Sequence, residues 1–312
     1  MTTLTRLTSD FDFLTGHFDV AHRVLQATGE WKEFTGTCTG RTHFDGAVSI
    51  DEARFADGYG LSLRLYDPAE ETWTIYWVHS RTGKLQPPVR GRWSDGVATL
   101  YGQDDLGDRM VPVRLRWSDI TEDTAHWEQA YSYDGGNSWE TNWTMDLTRR
   151  GTVPPPRDVP KVTGDFDFFV GSWDVRHRRL VSPLTGSDEW REQVGTSDAY
   201  TLFAGAVCVD EVTIPDDGAR GLTVRLYDVA AATWSIYWIS SRRGVLEPPV
   251  HGGFGPDGIG VLEGRDEHEG RPVDVRFRWT RGDVPVWEQF FSADDGATWE
   301  SNWTMTFTRR GE

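Results

Sequence analysis

Cysteine is scarce: Cys38 and Cys208 are the only two in 312 residues. They face Ser197 and Ser49 in a duplicated sequence, so no repeated disulfide framework and no Cys-rich metal site is available. Basic residues are also short, 32 against 49 acidic ones, for a formal net charge of −17. That balance excludes roles that track phosphate, because nucleic acid and anionic membrane surfaces are held by basic patches and counterion release. No apolar run reaches the length of a membrane-spanning helix, and the opening MTTLTRLTSDFDF has no apolar core, so neither a signal peptide nor a membrane anchor is expected and the cytoplasm is the expected location. Sustained 3.6-residue periodicity is missing apart from a short turn at Ser9 to Leu14. Gly-rich phosphate loops, a G-x-S-x-G elbow, H-E-x-x-H and paired C-x-x-C are absent too. No metal and no cofactor is therefore expected; His251 and His268 beside Glu263, Asp266, Glu267 and Glu269 read as a charged hairpin loop. Oligomeric state leaves no trace in the sequence.

What is abundant is tryptophan, 16 residues of it, and repetition. WEQAYSYDGGNSWETNW (Trp127 to Trp143) returns as WEQFFSADDGATWESNW (Trp287 to Trp303), and FDFLTGHFDVAHRVL (from Phe11) returns as FDFFVGSWDVRHRRL (from Phe166). The offset drifts between 155 and 161 residues, with insertions falling in loops, notably VSPLTGSDE in the second copy. Between the copies lies GTVPPPRDVPKVTG, whose three consecutive prolines cannot form helix. The expected organisation is a domain over 1–150, a Pro-rich linker over 151–163 and a second domain over 164–312, each long enough to own a core.

Within the first copy nearly every segment alternates with period two, giving candidate strands near 17–25, 30–39, 43–54, 59–66, 72–80, 88–93, 97–102, 111–118, 125–133 and 138–148. Asp-Pro, Thr-Gly and Asp-Gly turns separate them. About ten sequential strands per copy predict an all-β protein of two tandem antiparallel meander barrels, closure removing the exposed edges and leaving room for a small molecule. The S-x-D-x-G-x-[ST]-W pattern at Ser132 to Trp139 and Ser292 to Trp299 resembles the hairpin turns of sialidase-like propellers. A repeat of about 160 residues is far from a propeller blade, so Asp134 and Asp294 are expected to cap turns.

The motifs F-D-F-L/F-x-G-x-F/W-D-V-x-H-R, R-L-Y-D…W-x-I-Y-W and W-E-Q…D-G-x-x-W-E-x-N-W-x-M run through both copies, and together they resemble a bacterial calycin-type (lipocalin-like) domain family. The resemblance implies barrels that hold apolar ligands and supplies no catalytic residues. A tandem pair is similar in layout to two-domain lipocalin-like enzymes that fold polyketide chains into rings.

Sorting strand faces by alternation puts Phe18, Val20, His22 and Val24 together, then Trp73, Ile75, Trp77 and His79, then Trp127, Gln129 and Tyr131, then Trp139, Thr141, Trp143 and Met145. As inward faces these predict an aromatic interior with His22, His79, Gln129 and Tyr131 as its few polar groups, the usual build of a small-molecule site. The catalytic candidates are His79, Tyr131 and His22. The ligand-binding candidates are Trp77, Gln129 and Trp143 with their second-copy relatives His177, Trp238, Gln289 and Trp303. A histidine matched in both copies also reads as a buried structural group. His79 and Tyr131 become Ser240 and Phe291, which keeps the first barrel richer in polar groups. Arg64, Arg114, Arg116 and Glu128, matched by Arg225, Arg276, Arg278 and Glu288, are expected outside as cross-strand pairs; the inverse places Arg116 and Glu128 inside. The expected function is binding of a hydrophobic small molecule, with cofactor-independent cyclisation or isomerisation on one side and a non-catalytic carrier, a sensor or a haem-holding barrel on the other.

Overall fold

The structure is a computed structural model that describes residues 8–56, 58–107, 109–154, 159–214 and 218–311. Most of the proline run between the copies and the first seven residues lie outside them. The chain divides into two compact units, Met1–Asp158 with Arg243–Val245 and Val159–Arg242 with Leu246–Glu312. No helix among the described residues is long and apolar enough to cross a membrane.

The first unit is a closed antiparallel barrel of ten strands in sequence order. They are β1 (Gly16–Leu25), β2 (Trp31–His43), β3 (Val48–Phe55), β4 (Gly58–Asp67), β5 (Thr72–His79), β6 (Val89–Ser94), β7 (Val97–Asp105), β8 (Met110–Ser118), β9 (Thr124–Tyr131) and β10 (Glu140–Arg150). β10 closes on β1, pairing Trp143 with Val24 and Arg150 with His17. The second unit repeats this barrel as β11 (Gly171–Leu180), β12 (Trp190–Leu202), β13 (Val207–Ile214), β14 (Ala219–Asp228), β15 (Thr233–Ser240), β16 (Val250–Phe254), β17 (Ile259–His268), β18 (Arg271–Thr280), β19 (Val286–Ser292) and β20 (Glu300–Arg309). One candidate strand is cut short: a 3-10 turn at Phe44–Gly46, with Phe44 and Asp45 at positive φ, separates β2 from β3.

One end of each barrel is plugged by its own N-terminal segment. In the first, the 3-10 turn Asp12–Leu14 presents Phe11 edge-on to Trp73 at 4.7 Å and to Trp93 at 5.3 Å, and Trp73 Nε1 donates to Asp10 at 2.9 Å. The second barrel repeats the contacts with Phe166 on Trp234 at 4.9 Å and Trp234 Nε1 donating to Asp165 at 3.0 Å.

Directly against each plug sits a buried ion pair, which corrects the expected outward placement of Arg64 and Arg225. Arg64 is 3% exposed, donates to Asp51, and lies 5.2 Å over the Phe11 ring. Ser62 donates to the same carboxylate at 3.3 Å. In the second barrel Arg225 donates to Asp210 at 2.6 Å and lies 5.0 Å over Phe166. The physical reason is that both faces of β3 and β4 are buried: Leu61, Leu63 and Leu65 are at most 1% exposed on the face opposite Ser62 and Arg64. Alternation of apolar and polar residues has no inside and outside where water touches neither face. The two cysteines attend these pairs from different strands. Cys38 on β2 hydrogen-bonds Asp51, the role Ser197 plays at 3.1 Å on Asp210, whereas Cys208 on β13 accepts from Arg225 at 3.7 Å where the first barrel has Ser49. Burial and the neighbouring aspartates raise both thiol pKa values, so these are inert packing groups. Arg64 Nε and Arg225 Nε are buried without partners in both barrels.

By contrast Arg114, Arg116 and Glu128 are outside as expected, with Glu128 accepting from Arg114 at 3.0 Å and 3.7 Å from Arg116. Removing one member of a buried pair leaves an uncompensated charge. Arg64→Met is therefore expected to destabilise the protein by about 3–5 kcal/mol in chemical denaturation, and adding Asp51→Leu is expected to restore most of the loss.

Candidate functional site

Above the plug the first barrel is hollow. A cavity of about 410 Å3 runs up the axis. It is lined by residues that alternate inward along the strands, and its walls include Val20 and His22 of β1, Ile75 and Trp77 of β5, Leu115 of β8, Trp127, Gln129 and Tyr131 of β9, and Trp143 of β10. Five of the six site residues expected in the first barrel, His22, Trp77, Gln129, Tyr131 and Trp143, are thus brought to one cavity. The sixth, His79, is not: it stands at the outer end of β5, ring to ring with Phe55 at 6.4 Å, with Nδ1 accepting the Arg81 N–H at 3.1 Å. His79 shares its strand face with Trp77 but enters the turn at Arg81, whereas the Trp77 indole folds back over Gly60; a methyl group there would come within 2.0 Å of the ring. The same glycine–tryptophan pair recurs as Gly221 and Trp238, at 1.8 Å.

His22 is 2% exposed and lies parallel to Phe34 at 4.5 Å. Its Nδ1 accepts the Trp143 indole N–H at 3.3 Å, which places its proton on Nε2, and Nε2 points toward Gly36, where a methyl group would be only 3.1 Å away. Burial lowers its pKa to about 4. His177 repeats the arrangement, with Trp303 Nε1 donating to Nδ1 at 3.4 Å, and burial lowers its pKa to about 4 as well.

The polar groups near the open end centre on Tyr131. Its hydroxyl donates to Asp104 at 2.6 Å and receives the Gln129 side-chain N–H at 3.2 Å, with the Asn142 amide a further donor. Burial and the hydrogen bond to Asp104 raise its pKa, so the phenol stays protonated. Because the single hydroxyl proton goes to Asp104, both amides must donate nitrogen-bound hydrogens. Asn142 Oδ1 is accordingly a buried acceptor without a partner.

Asn142 reaches the cavity through a bulge. The β9–β10 register shifts between Thr141 and Trp143, so Asn142 and Trp143 both face inward. Trp139, expected on the inner face, packs outside on Tyr101 at 5.6 Å with the Arg114 guanidinium 5.1 Å from its ring. Sequence reading missed Asn142 for this reason. Asp104 escapes it because the candidate strand ends at residue 102 whereas β7 runs on to Asp105; carrying the alternation of Ala98, Leu100 and Gly102 one step further places Asp104 inside. The Asp134 carboxylate does cap its turn, accepting Ser132 Oγ at 2.8 Å and Ser138 N at 2.9 Å.

The second barrel carries different side chains at the corresponding positions. Gln289 donates to Asn302 Oδ1 at 2.9 Å, so the carbonyl of the bulged asparagine is satisfied once Phe291 replaces the tyrosine, while its Nδ2 is buried without a partner. Arg179, where the first barrel has Val24, stacks 4.3 Å from Trp303. Leu184, in the longer β11–β12 loop, packs on the core with its N–H donating to Glu300 at 2.6 Å. Trp238 meets Trp303 at 6.1 Å. Near the charged hairpin, Ser235 and His251 are 3.0 Å apart and Arg276 binds Glu263 at 2.6 Å. Among the described residues no three His, Cys, Asp or Glu side chains gather to hold a metal ion.

No protein-family model matches the chain, and no curated protein matches it. Among solved structures, the chain is similar to a protein of unknown function from the DUF3598 family of Nostoc punctiforme, at 11% identity over 99% of this chain and 100% of that one. The TM-score is 0.27, too low for anything to be carried over from that protein.

The two histidines give the protein an acid-sensitive element. Each folded pKa lies below the unfolded value, so the stabilisation is fully present above pH 6.5 and is lost as pH falls toward 4, by roughly 3 kcal/mol per histidine. Asp134 and Asp294, lowered to about 2 by their hydroxyl and backbone donors, act at more acid pH than this window. Urea midpoints measured between pH 7 and 4 are expected to fall, and the fall is expected to flatten in His22→Gln/His177→Gln.

Proposed function

We propose that the first unit is a calycin-type binding barrel that holds one small apolar or aromatic molecule inside, and that the second unit is its filled counterpart. The observation that carries this is the cavity itself: about 410 Å3, walled by Trp77, Trp127, Trp143 and aliphatic side chains, with its polar groups confined to a few places. A cavity of that size and composition lowers the free energy of an apolar guest chiefly by removing its surface from water.

Binding without proton transfer is favoured over cyclisation or isomerisation by acid–base help. An imidazole held neutral with a pKa near 4 is a weak base at neutral pH, and a phenol whose pKa is raised is a weak acid. Haem ligation is disfavoured by the directions of the two His22 nitrogens, one taken by Trp143 and the other turned to Gly36 in the wall. A carrier or sensor fits these groups better than an enzyme does.

Titration with an uncharged apolar fluorophore, N-phenyl-1-naphthylamine, tests the reading. One molecule per chain is expected to bind and quench tryptophan emission. Leu115→Trp, which fills the cavity, is expected to weaken binding by about tenfold or more while the far-ultraviolet circular dichroism is unchanged, and Phe277→Trp in the second barrel is expected to leave binding as it was. Unaltered binding in Leu115→Trp would remove the assignment.

A further inference from the structure

The charges of the lining and the orphaned acceptor at its open end say more about the guest than its apolar body. Two carboxylates face the cavity, Asp51 and Asp104, and a third, Asp105, borders it from an exposed position where it accepts the Gly107 N–H at 2.8 Å; against them stands one guanidinium, Arg64. That guanidinium is committed to Asp51. Its free Nε–H has a twin in Arg225 Nε, so it belongs to the buried pair in either barrel and not to this cavity. His22 adds no positive charge at neutral pH. What remains near the open end is acceptor chemistry: the Asp104 carboxylate, whose one hydrogen-bonding neighbour among the described residues is the Tyr131 hydroxyl, and Asn142 Oδ1, buried with no donor among them to meet it. Trp77, Trp127 and Trp143 stand edge to face around the same space, with ring centres 6.5 Å apart for Trp77 and Trp143 and 5.5 Å for Trp127 and Trp143.

We propose that the first barrel selects ligands that carry a cationic amine on an aromatic or apolar body, the ammonium meeting Asp104 and Asn142 Oδ1 while indole faces take the rest. The proposal rests on the reading of the cavity as a ligand site. An ammonium group is all donors and no acceptor, which is the complement of a carboxylate beside an unpartnered amide oxygen. Aromatic faces add attraction for a positive charge and none for a negative one. A carboxylate or phosphate head would meet like charge at Asp104 and Asp105 and would leave Asn142 Oδ1 unpaired, a loss on top of the repulsion. Tyr131 is a positioning residue here. By giving its proton to Asp104 it obliges Gln129 and Asn142 to donate to its oxygen, and that turns the asparagine carbonyl loose. The second barrel shows the alternative state of the same parts: with Phe291 in place of the tyrosine, Gln289 turns to Asn302 and satisfies its oxygen, and the orphaned atom is the donor Nδ2 instead of the acceptor Oδ1.

Three probes with one naphthalene body and different heads decide the matter at pH 7: 1-naphthylmethylamine, 1-naphthalenemethanol and 1-naphthaleneacetic acid, each competed against the uncharged fluorophore. The amine is expected to bind about tenfold tighter than the acid, with the alcohol between them, and added salt is expected to weaken the amine alone. Asp104→Asn is expected to remove the advantage of the amine over the alcohol while leaving the alcohol within about twofold, and Asn142→Leu is expected to reduce the amine's affinity by about threefold. Should Asp104→Asn not fold, Asn142→Leu and the salt series carry the same comparison. Equal affinities for amine and alcohol, or preference for the acid, would overturn the inference while leaving the cavity reading intact. Failure of the alcohol and the fluorophore to bind would overturn the cavity reading and this inference with it.

Discussion

The buried arginine–aspartate pair at the plugged end is the constraint around which each barrel is arranged. Taking two charges out of water costs several kcal/mol per ion, and the cost is recovered only when geometry and neighbouring hydrogen bonds are good. Arg64 and Asp51 meet that demand with Ser62, Cys38 and the ring of Phe11 on their borders, and Arg225 and Asp210 meet it with Ser197, Cys208 and Phe166. Nothing bulky can be exchanged there without exposing one charge to an apolar wall. The lower halves of the two barrels are therefore nearly the same object, down to the tryptophan that donates to the aspartate ahead of each plug.

The upper halves are free of that demand and have diverged. Tyr131 against Phe291, Val24 against Arg179 and a short hairpin against one bearing Leu184 all change what fills the axis. Each substitution in the second barrel brings a group that packs on or pairs with its own neighbours. Each counterpart in the first leaves space or, at Asn142, an acceptor without a partner where the second barrel leaves the donor Asn302 Nδ2. Two barrels of one design can thus differ in capacity for a guest without any change in strand order or closure.

Much of the fold was legible in the residues because a closed meander writes its pattern locally: period-two strands, tight turns and a second copy to check them against. Face assignment was legible where one face touches water, as along β1 and β9, which is why Val20, His22, Trp127, Gln129 and Tyr131 were placed together. It was not legible on β3 and β4, where Leu63 and Arg64 are buried on opposite faces. Nor could alternation see the bulge at Asn142, since one inserted residue reverses the phase of all that precedes it on the strand. His79 was misleading for a third reason: a side chain at the end of a strand is governed by the turn it enters, here through Arg81, more than by the face its neighbours share.

The two cysteines carry a further consequence. At the β2 and β3 positions beside each ion pair there is one sulfur and one hydroxyl, but the halves have traded them: the thiol comes from β2 in the first barrel and from β13, the relative of β3, in the second. What the fold holds constant is the total volume and polarity of that small shell, not the atom at either address. Each half therefore serves as a natural double mutant of the other, and a comparison of the copies reads out which exchanges around a buried charge are nearly neutral when made together.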